Sequence, residues 1–158
     1  MKRLWQSLLA LFVTAAPATT ASDGPLSPNQ QLLLAKAENT VKNYINAEKP
    51  YPLFAMAMHN NGEVESLLAS DEFNDKKQAL VALLGELLRR AKAKEIKANV
   101  LVVPMDPIPG FEQKPAAFDI EERGGKRILV LIPYQKKGDA WVFGKKEYRE
   151  VPPKLFAP

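Results

Sequence analysis

The chain reads as an α+β protein whose elements follow the order α-β-β-α-β-β-β-β. Three observations predict this class. Apolar residues recur at helical spacing over residues 33–45 and 80–91. Short β-rich runs bounded by turn residues fill 53–68 and 96–143. The strands come in runs and not in strict alternation with helices, which favours an antiparallel sheet. Both helices are expected on one face of a sheet of five to six strands.

The first 21 residues stand apart. Lys2-Arg3 makes a positive start, Leu4 to Ala16 is mostly apolar, and Pro17-Ala18-Thr19-Thr20-Ala21 ends in small residues. That is the pattern of a secretory signal peptide. The apolar run falls short of the ~20 residues that span a bilayer; an uncleaved anchor is the alternative. Cleavage after Ala18 or Ala21 satisfies the small-residue rule. Ala21 is preferred, because residues 22–27 then form a polar, flexible N-terminus. The expectation is a periplasmic or secreted protein with no transmembrane segment after cleavage.

The 158 residues include no cysteine. A lipid anchor at a cleavage cysteine, disulfides, thiol nucleophiles and cysteine-ligated metals are thereby excluded. One domain at 28–151, with an extended tail at 152–158, is expected, and a chain of this size buries roughly two thirds of its unfolded surface. The formal charge of +4 drops to about +2 when Lys2 and Arg3 leave. That is too mild to argue for a nucleic-acid partner.

Ser27-Pro28 opens the first helix, with serine as N-cap and proline at the first helical position. Leu34, Ala37, Val41 and Ile45 form its stripe, widened by Leu33 and Tyr44, and Lys49-Pro50 ends it. Residues 53–68 read as a hairpin around Asn60-Asn61-Gly62. A two-residue Asn61-Gly62 turn would pair Asn60 with Glu63. A three-residue loop with Gly62 left-handed would pair His59 with Glu63, and this register sorts the side chains better: Phe54, Met56, Met58, Val64, Ser66 and Leu68 share one face. Asp71 to Asp75 begins a second helix that runs to about Lys94, with Leu80, Leu84, Leu87 and Ala91 as its stripe and Val81, Leu83 and Leu88 beside it. Gly85 costs this helix about 1 kcal/mol against alanine, and close packing on the sheet is one reason for it. Ile96 to Val103 is a strand, and Pro104 to Pro115 a stiff loop. In Ala116 to Arg123, Phe118 and Ile120 point inward and Asp119 and Glu121 outward. Gly124-Gly125 turns into a nearly continuous apolar strand, Lys126 to Tyr134, and Ala140 to Phe143 is a short last strand.

This order looks like the profilin and roadblock arrangements, an analogy of fold that carries no function. Short motifs add a second likeness. Pro52-Leu53-Phe54-Ala55-Met56-Ala57, Asn60-Asn61-Gly62-Glu63-Val64, Ile132-Pro133-Tyr134-Gln135-Lys136-Lys137 and Phe143-Gly144 onward to Phe156-Ala157 resemble a family of small uncharacterised bacterial proteins with a PF-x-x-A strand, a D/N-G turn and an (L/I)PY-x-K-K segment. Leu53, inserted between Pro52 and Phe54, departs from that pattern. The resemblance implies a fold and no site residues. Many relatives look cytoplasmic, which would make the signal peptide an addition of this lineage.

Four groups are candidates for chemistry. His59, the only histidine, opposite Glu63 would make a carboxylate-oriented base; otherwise it is a surface pair at a hairpin end. Asp119, Glu121 and Glu122, with Asp106 and Glu112 in the preceding loop, are oxygen ligands without calcium-loop spacing; the plain reading is a solvated strand face. Gly124-Gly125-Lys126-Arg127 joins two strands and lacks the helix a phosphate loop needs, so it reads as a turn with solvated Lys and Arg. Tyr134, Lys136, Lys137, Trp141, Lys145, Lys146 and Tyr148, with Phe143 among them, interleave aromatics with cations. They form either a binding patch for an acidic partner or core aromatics with a lysine rim. No cofactor is implied. The composition favours a non-enzymatic binding or interaction module with a protein or acidic envelope partner. The alternatives are a periplasmic enzyme built on His59 with Glu63 or nearby carboxylates, and a membrane-surface protein using the C-terminal lysines.

Overall fold

The computed structural model describes residues 24–105 and 114–158. The N-terminal stretch read above as a signal peptide and the loop carrying Asp106 and Glu112 lie outside the described residues. Helix α1 (Pro28–Asn46) leads into strands β1 (Phe54–His59) and β2 (Val64–Leu68). Helix α2 (Lys76–Lys92) follows, then β3 (Ile96–Val103), β4 (Lys114–Glu122), β5 (Arg127–Lys137), β6 (Ala140–Phe143) and β7 (Glu147–Val151). The seven strands form one antiparallel sheet with the spatial order β2-β1-β3-β4-β5-β6, and β7 also pairs with β5. β5 is long enough to carry β6 against Tyr134–Lys137 and β7 against Arg127–Leu131. The α+β class and the element order stand, with β7 as a further strand. Its sequence, Glu-Tyr-Arg-Glu-Val, has too little apolar alternation to announce itself.

The hairpin takes the three-residue loop. Met58 lies opposite Val64 and Phe54 opposite Leu68, His59 N–H donates to Glu63 C=O at 2.8 Å, and Gly62 has φ +91°, which glycine adopts without steric cost. β1 is antiparallel to both β2 and β3. β2 and β3 are therefore parallel, one on each side of β1, and the β2–α2–β3 connection must cross over a face of β1.

That crossover corrects the placement of the helices. Alternate strand residues point to opposite faces. Phe54, Met56, Met58, Val100, Val102, Phe118, Ile120, Ile128, Val130 and Ile132 pack with Leu33, Leu34, Ala37, Val41 and Ile45 of α1. Ala55, Ala57, Ile96 and Leu101 pack with Leu83, Leu87 and Ala91 of α2. The helices cover opposite faces, and not the same face as expected. The small Ala55 and Ala57 are the sign of this: they leave room for a helix on the side away from Phe54 and Met56.

Each helix starts as its sequence indicates. Ser27 caps α1 in a reciprocal box with Gln30, and the otherwise buried Gln30 amide donates to Lys126 C=O at 2.6 Å. Asp75 caps α2 by accepting from Lys77 N–H at 3.0 Å. The buried stripe of α2 is Ala79, Leu83, Leu87 and Ala91. It is rotated from the expected Leu80–Leu84 line, with Val81 exposed. The packed unit also extends past residues 28–151, since Leu26 and Leu155 are buried. No described helix is long and apolar enough to cross a membrane.

Close packing does not explain Gly85: a Cβ built there meets nothing within 4 Å. Gly85→Ala should therefore raise stability by about 0.5–1 kcal/mol, read from the denaturant midpoint. Gly144→Ala should lower it, because its Cβ would come within 2.7 Å of Pro133 Cγ.

Candidate functional site

His59 extends from the end of β1 onto the α2 side. Its partner is Glu65, not the Glu63 expected from the loop: His59 Nε2 lies 3.0 Å from Glu65 Oε2. Residues two apart on a strand share a face, so Glu65 reaches His59 along the diagonal. The same Glu65 oxygen accepts from Arg90 at 2.6 Å, and Arg90 also binds Glu86 at 2.7 Å. Arg90 and then His59 hold the Glu65 carboxyl below its usual range. Arg89 and Arg90 hold Glu86 down to about 2. Glu65, Arg90 and Glu86 form an ion-pair chain that ties β2 to α2, with Arg89 on Glu86 at one end and His59 on Glu65 at the other.

The carboxylates of β4 go three separate ways. Asp119 receives both Nε and Nη2 of Arg127, at 2.8 and 2.7 Å, and Arg127 Nη1 donates to Pro152 C=O at 2.9 Å. Glu122 points to the other face, where it accepts from Ser27 Oγ and from Asn29 Nδ2 at 2.6 Å, anchoring the start of α1. Glu121 is 3% exposed, which overturns the solvated-face reading for this residue. Its carboxylate accepts backbone N–H from Lys154 at 2.7 Å, Leu155 at 2.9 Å and Phe156 at 3.1 Å. Three successive amides turned toward one anion form a nest. Leu155 is buried beside it, and the Arg123 guanidinium lies 4.9 Å from the Phe156 ring centroid. Thus the tail expected to be extended folds back across the α2 face. Gly124-Gly125 is the β4–β5 turn, with Gly124 at φ +70°. Its flanking cations are paired: Lys126 with Glu150 at 2.8 Å, and Arg127 with Asp119.

The aromatic–lysine group lies along the seam between β5–β7 and α1. Tyr134 is buried, and Trp141, Phe143 and Tyr148 pack against the α1 core. The Trp141 ring sits 5.8 Å from Tyr134, tilted by 59°. Lys136 pairs with Glu48 and Lys146 with Glu38 at 2.9 Å. Lys42 also binds Glu38 and lies 4.9 Å from the Phe143 centroid. Lys137 and Lys145 are exposed. The register explains the arrangement: Tyr134 is opposite Phe143 and Lys136 opposite Trp141, so all four project toward α1. Burial pushes the Tyr51 phenol up, and neighbouring Tyr134 adds to this. Tyr51 Oη and Trp141 Nε1 are buried with no well-aligned hydrogen-bond partner among the described residues.

The feature that residue-by-residue reading missed is the free edge of the sheet. β2 pairs only with β1 among the described residues. His59 N–H bonds Glu63 C=O, and Ala69 N–H bonds Leu53 C=O at 3.2 Å. Those two bonds set the parity of the ladder. Glu63, Glu65 and Leu67 direct their backbone groups to β1, and Val64, Ser66 and Leu68 direct theirs outward. Leu68 is 69% exposed, and beyond it Phe73 and Val81 are also exposed. Phe73, Val81 and Ala82 line an open cleft of about 560 Å³ at the start of α2. Among the described residues, no group of three His, Asp or Glu side chains is placed to hold a metal ion.

Compared with family models, curated proteins and solved structures, the chain finds no match.

Two outcomes follow from these contacts. Glu121→Gln should weaken the tail clamp, lowering stability by about 1.5–3 kcal/mol, as for hydrogen bonds to a charged group. Hydrogen exchange should accelerate at the amides of Lys154, Leu155 and Phe156. The protein should also lose stability in acid. Burial pushes the Glu38 carboxyl up, but Lys42 and Lys146 outweigh this and hold it below its usual 4.5. Glu86 falls to about 2. Carboxyls lowered on folding contribute their full stabilisation above the unfolded value of 4.5 and lose it as pH falls toward the folded value. Urea midpoints should drop between pH 4.5 and pH 2, with a shallower drop in Glu86→Gln.

Proposed function

We propose that this protein is an exported, non-enzymatic interaction module that engages protein partners by strand addition at β2. The observation that carries the reading is the outward N–H and C=O of Val64, Ser66 and Leu68 on a strand with no outer neighbour among the described residues. Edge strands in folded proteins are usually blunted by lysine, proline or a bulge. β2 has none of these on its outer side. Its one charged residue, Glu65, is turned toward Arg90 and His59 on its own chain. The opposite edge is divided between short β6 and β7, flanked by Lys136, Lys137 and Pro152. A partner strand on β2 gains main-chain hydrogen bonds, with side-chain pockets alternating along it, and here Leu68 supplies apolar surface beside the ladder. Export is supported by Lys2-Arg3, the short apolar run and Ala21.

Ser66→Pro tests the edge without disturbing its inner ladder, because the amide it removes points outward and proline is tolerated there. Wild type and Ser66→Pro should fold with similar stability. Partner recovered from envelope extract should be lost with the variant, and the Val64, Ser66 and Leu68 amides of the wild-type complex should become protected from exchange. Equal recovery by both proteins would overturn the reading. For export, N-terminal sequencing of native protein should begin at Ser22; an intact Met1 would refute it.

A further inference from the structure

We infer that the partner for which the β2 edge is built is a second copy of this chain, joined antiparallel across a two-fold axis at Ser66. The inference rests on the strand-addition reading and adds the identity of the added strand. A two-fold interface must be self-complementary, and parity permits few registers, because only outward-facing residues form hydrogen-bonded pairs with the new strand. Placing Ser66 opposite Ser66 of the second copy satisfies this condition. It pairs all five residues of β2: Val64 with Leu68, Glu65 with Leu67 and Ser66 with itself. Val64, Ser66 and Leu68 then exchange all their outward N–H and C=O groups.

The neighbouring registers are worse for stated reasons. Sliding one way sets Glu65 directly against Glu65 of the second copy, and like charges opposite one another destabilise a ladder. Sliding the other way carries Val64 past the end of the partner strand. In the Ser66-centred register Glu65 instead faces Leu67, while keeping Arg90 and His59 on its own chain. Leu68, 69% exposed in the single chain, is covered by Val64 of the second copy on the α1 face. The two sheets become one continuous sheet. The interface is small, and contacts of this size are weak and concentration-dependent, so dimerisation belongs in the micromolar range or above.

The absence of cysteine makes the test clean, since each introduced thiol is the only one. Ser66 and Leu68 are both exposed, so replacement at either should leave the fold intact. In the inferred dimer the two Ser66 Cα atoms are about 5.5 Å apart, inside the range a disulfide bridges. The two Leu68 positions are four residues out of register, about 14 Å apart. Under mild oxidation at about 100 μM, Ser66→Cys should form covalent dimer at least ~10-fold faster than Leu68→Cys, although Leu68 is the more exposed site. Random collision predicts equal rates or the reverse, and that result overturns the inference. Sedimentation of the wild type up to about 0.5 mM supplies the second measurement. A shift toward dimer that Ser66→Pro abolishes supports the inference, and a monomer throughout overturns it. A monomer whose captured partner is still lost with Ser66→Pro would remove the second copy alone. A monomer whose capture is unaffected by Ser66→Pro would remove strand addition as well.

Discussion

Between β1, β3 and β4 the side chains alternate into two cores. Phe54, Met56, Met58, Val100, Val102, Phe118 and Ile120 project one way, and Ala55, Ala57, Ile96 and Leu101 the other. A sheet apolar on both faces has to be covered on both, because each uncovered apolar face costs roughly 25 cal/mol per Å² left in water. Two helices therefore cannot share a side. Helix α1 precedes the sheet and takes the face of large side chains. Helix α2, inside the β2–β3 crossover, takes the face of small ones. The pinning contacts follow from that division: Glu122 holds the start of α1 to the β4–β5 turn, and the Glu65–Arg90–Glu86 chain holds α2 to β2.

Helix α2 packs over β1 and β3 and leaves the same face of β4, with its polar residues, to another cover. Glu121, buried on that side, would be a heavy cost without partners. The tail supplies them through three backbone amides while Leu155 closes the apolar gap. Arg123 donates to the Ala91 and Ile96 carbonyls and stacks on Phe156. One arginine thus joins the end of α2, the start of β3 and the tail, and its charge suits the negative end of a helix. The C-terminal residues act as the second cover of the α2 face.

The two edges of the sheet differ because of how the chain reaches them. At one edge β5 receives β6 and β7 from the segment that follows it, and Lys136 and Lys146 are drawn back by Glu48, just past the end of α1, and by Glu38 on α1. Charges that read along the chain as a rim for an outside partner are in part spent within the molecule. At the other edge β2 leaves directly for α2, and no later segment among the described residues returns to pair with it. Its outward main-chain groups therefore have no ladder partner among the described residues.

Local signals accounted for much of the fold. Ser27-Pro28 marked the start of α1. The Leu34–Ile45 stripe marked its buried side, Asn60-Asn61-Gly62 the loop and register of the hairpin, and Ile96–Val103 the limits of β3. Each depends on neighbours in sequence: a cap three residues away, a period of 3.6 or 2, a glycine at one left-handed position. Other features depended on residues brought together from far apart. The face chosen by α2, the burial of Glu121 under Lys154–Phe156, the pairing of Lys136 with Glu48 and the strand at Glu147–Val151 join segments tens of residues apart, and no periodicity encodes such a meeting. The free edge at β2 belongs with them. A strand's pattern states which side chains it buries, while whether its outer hydrogen bonds are used is decided by the path of every other segment.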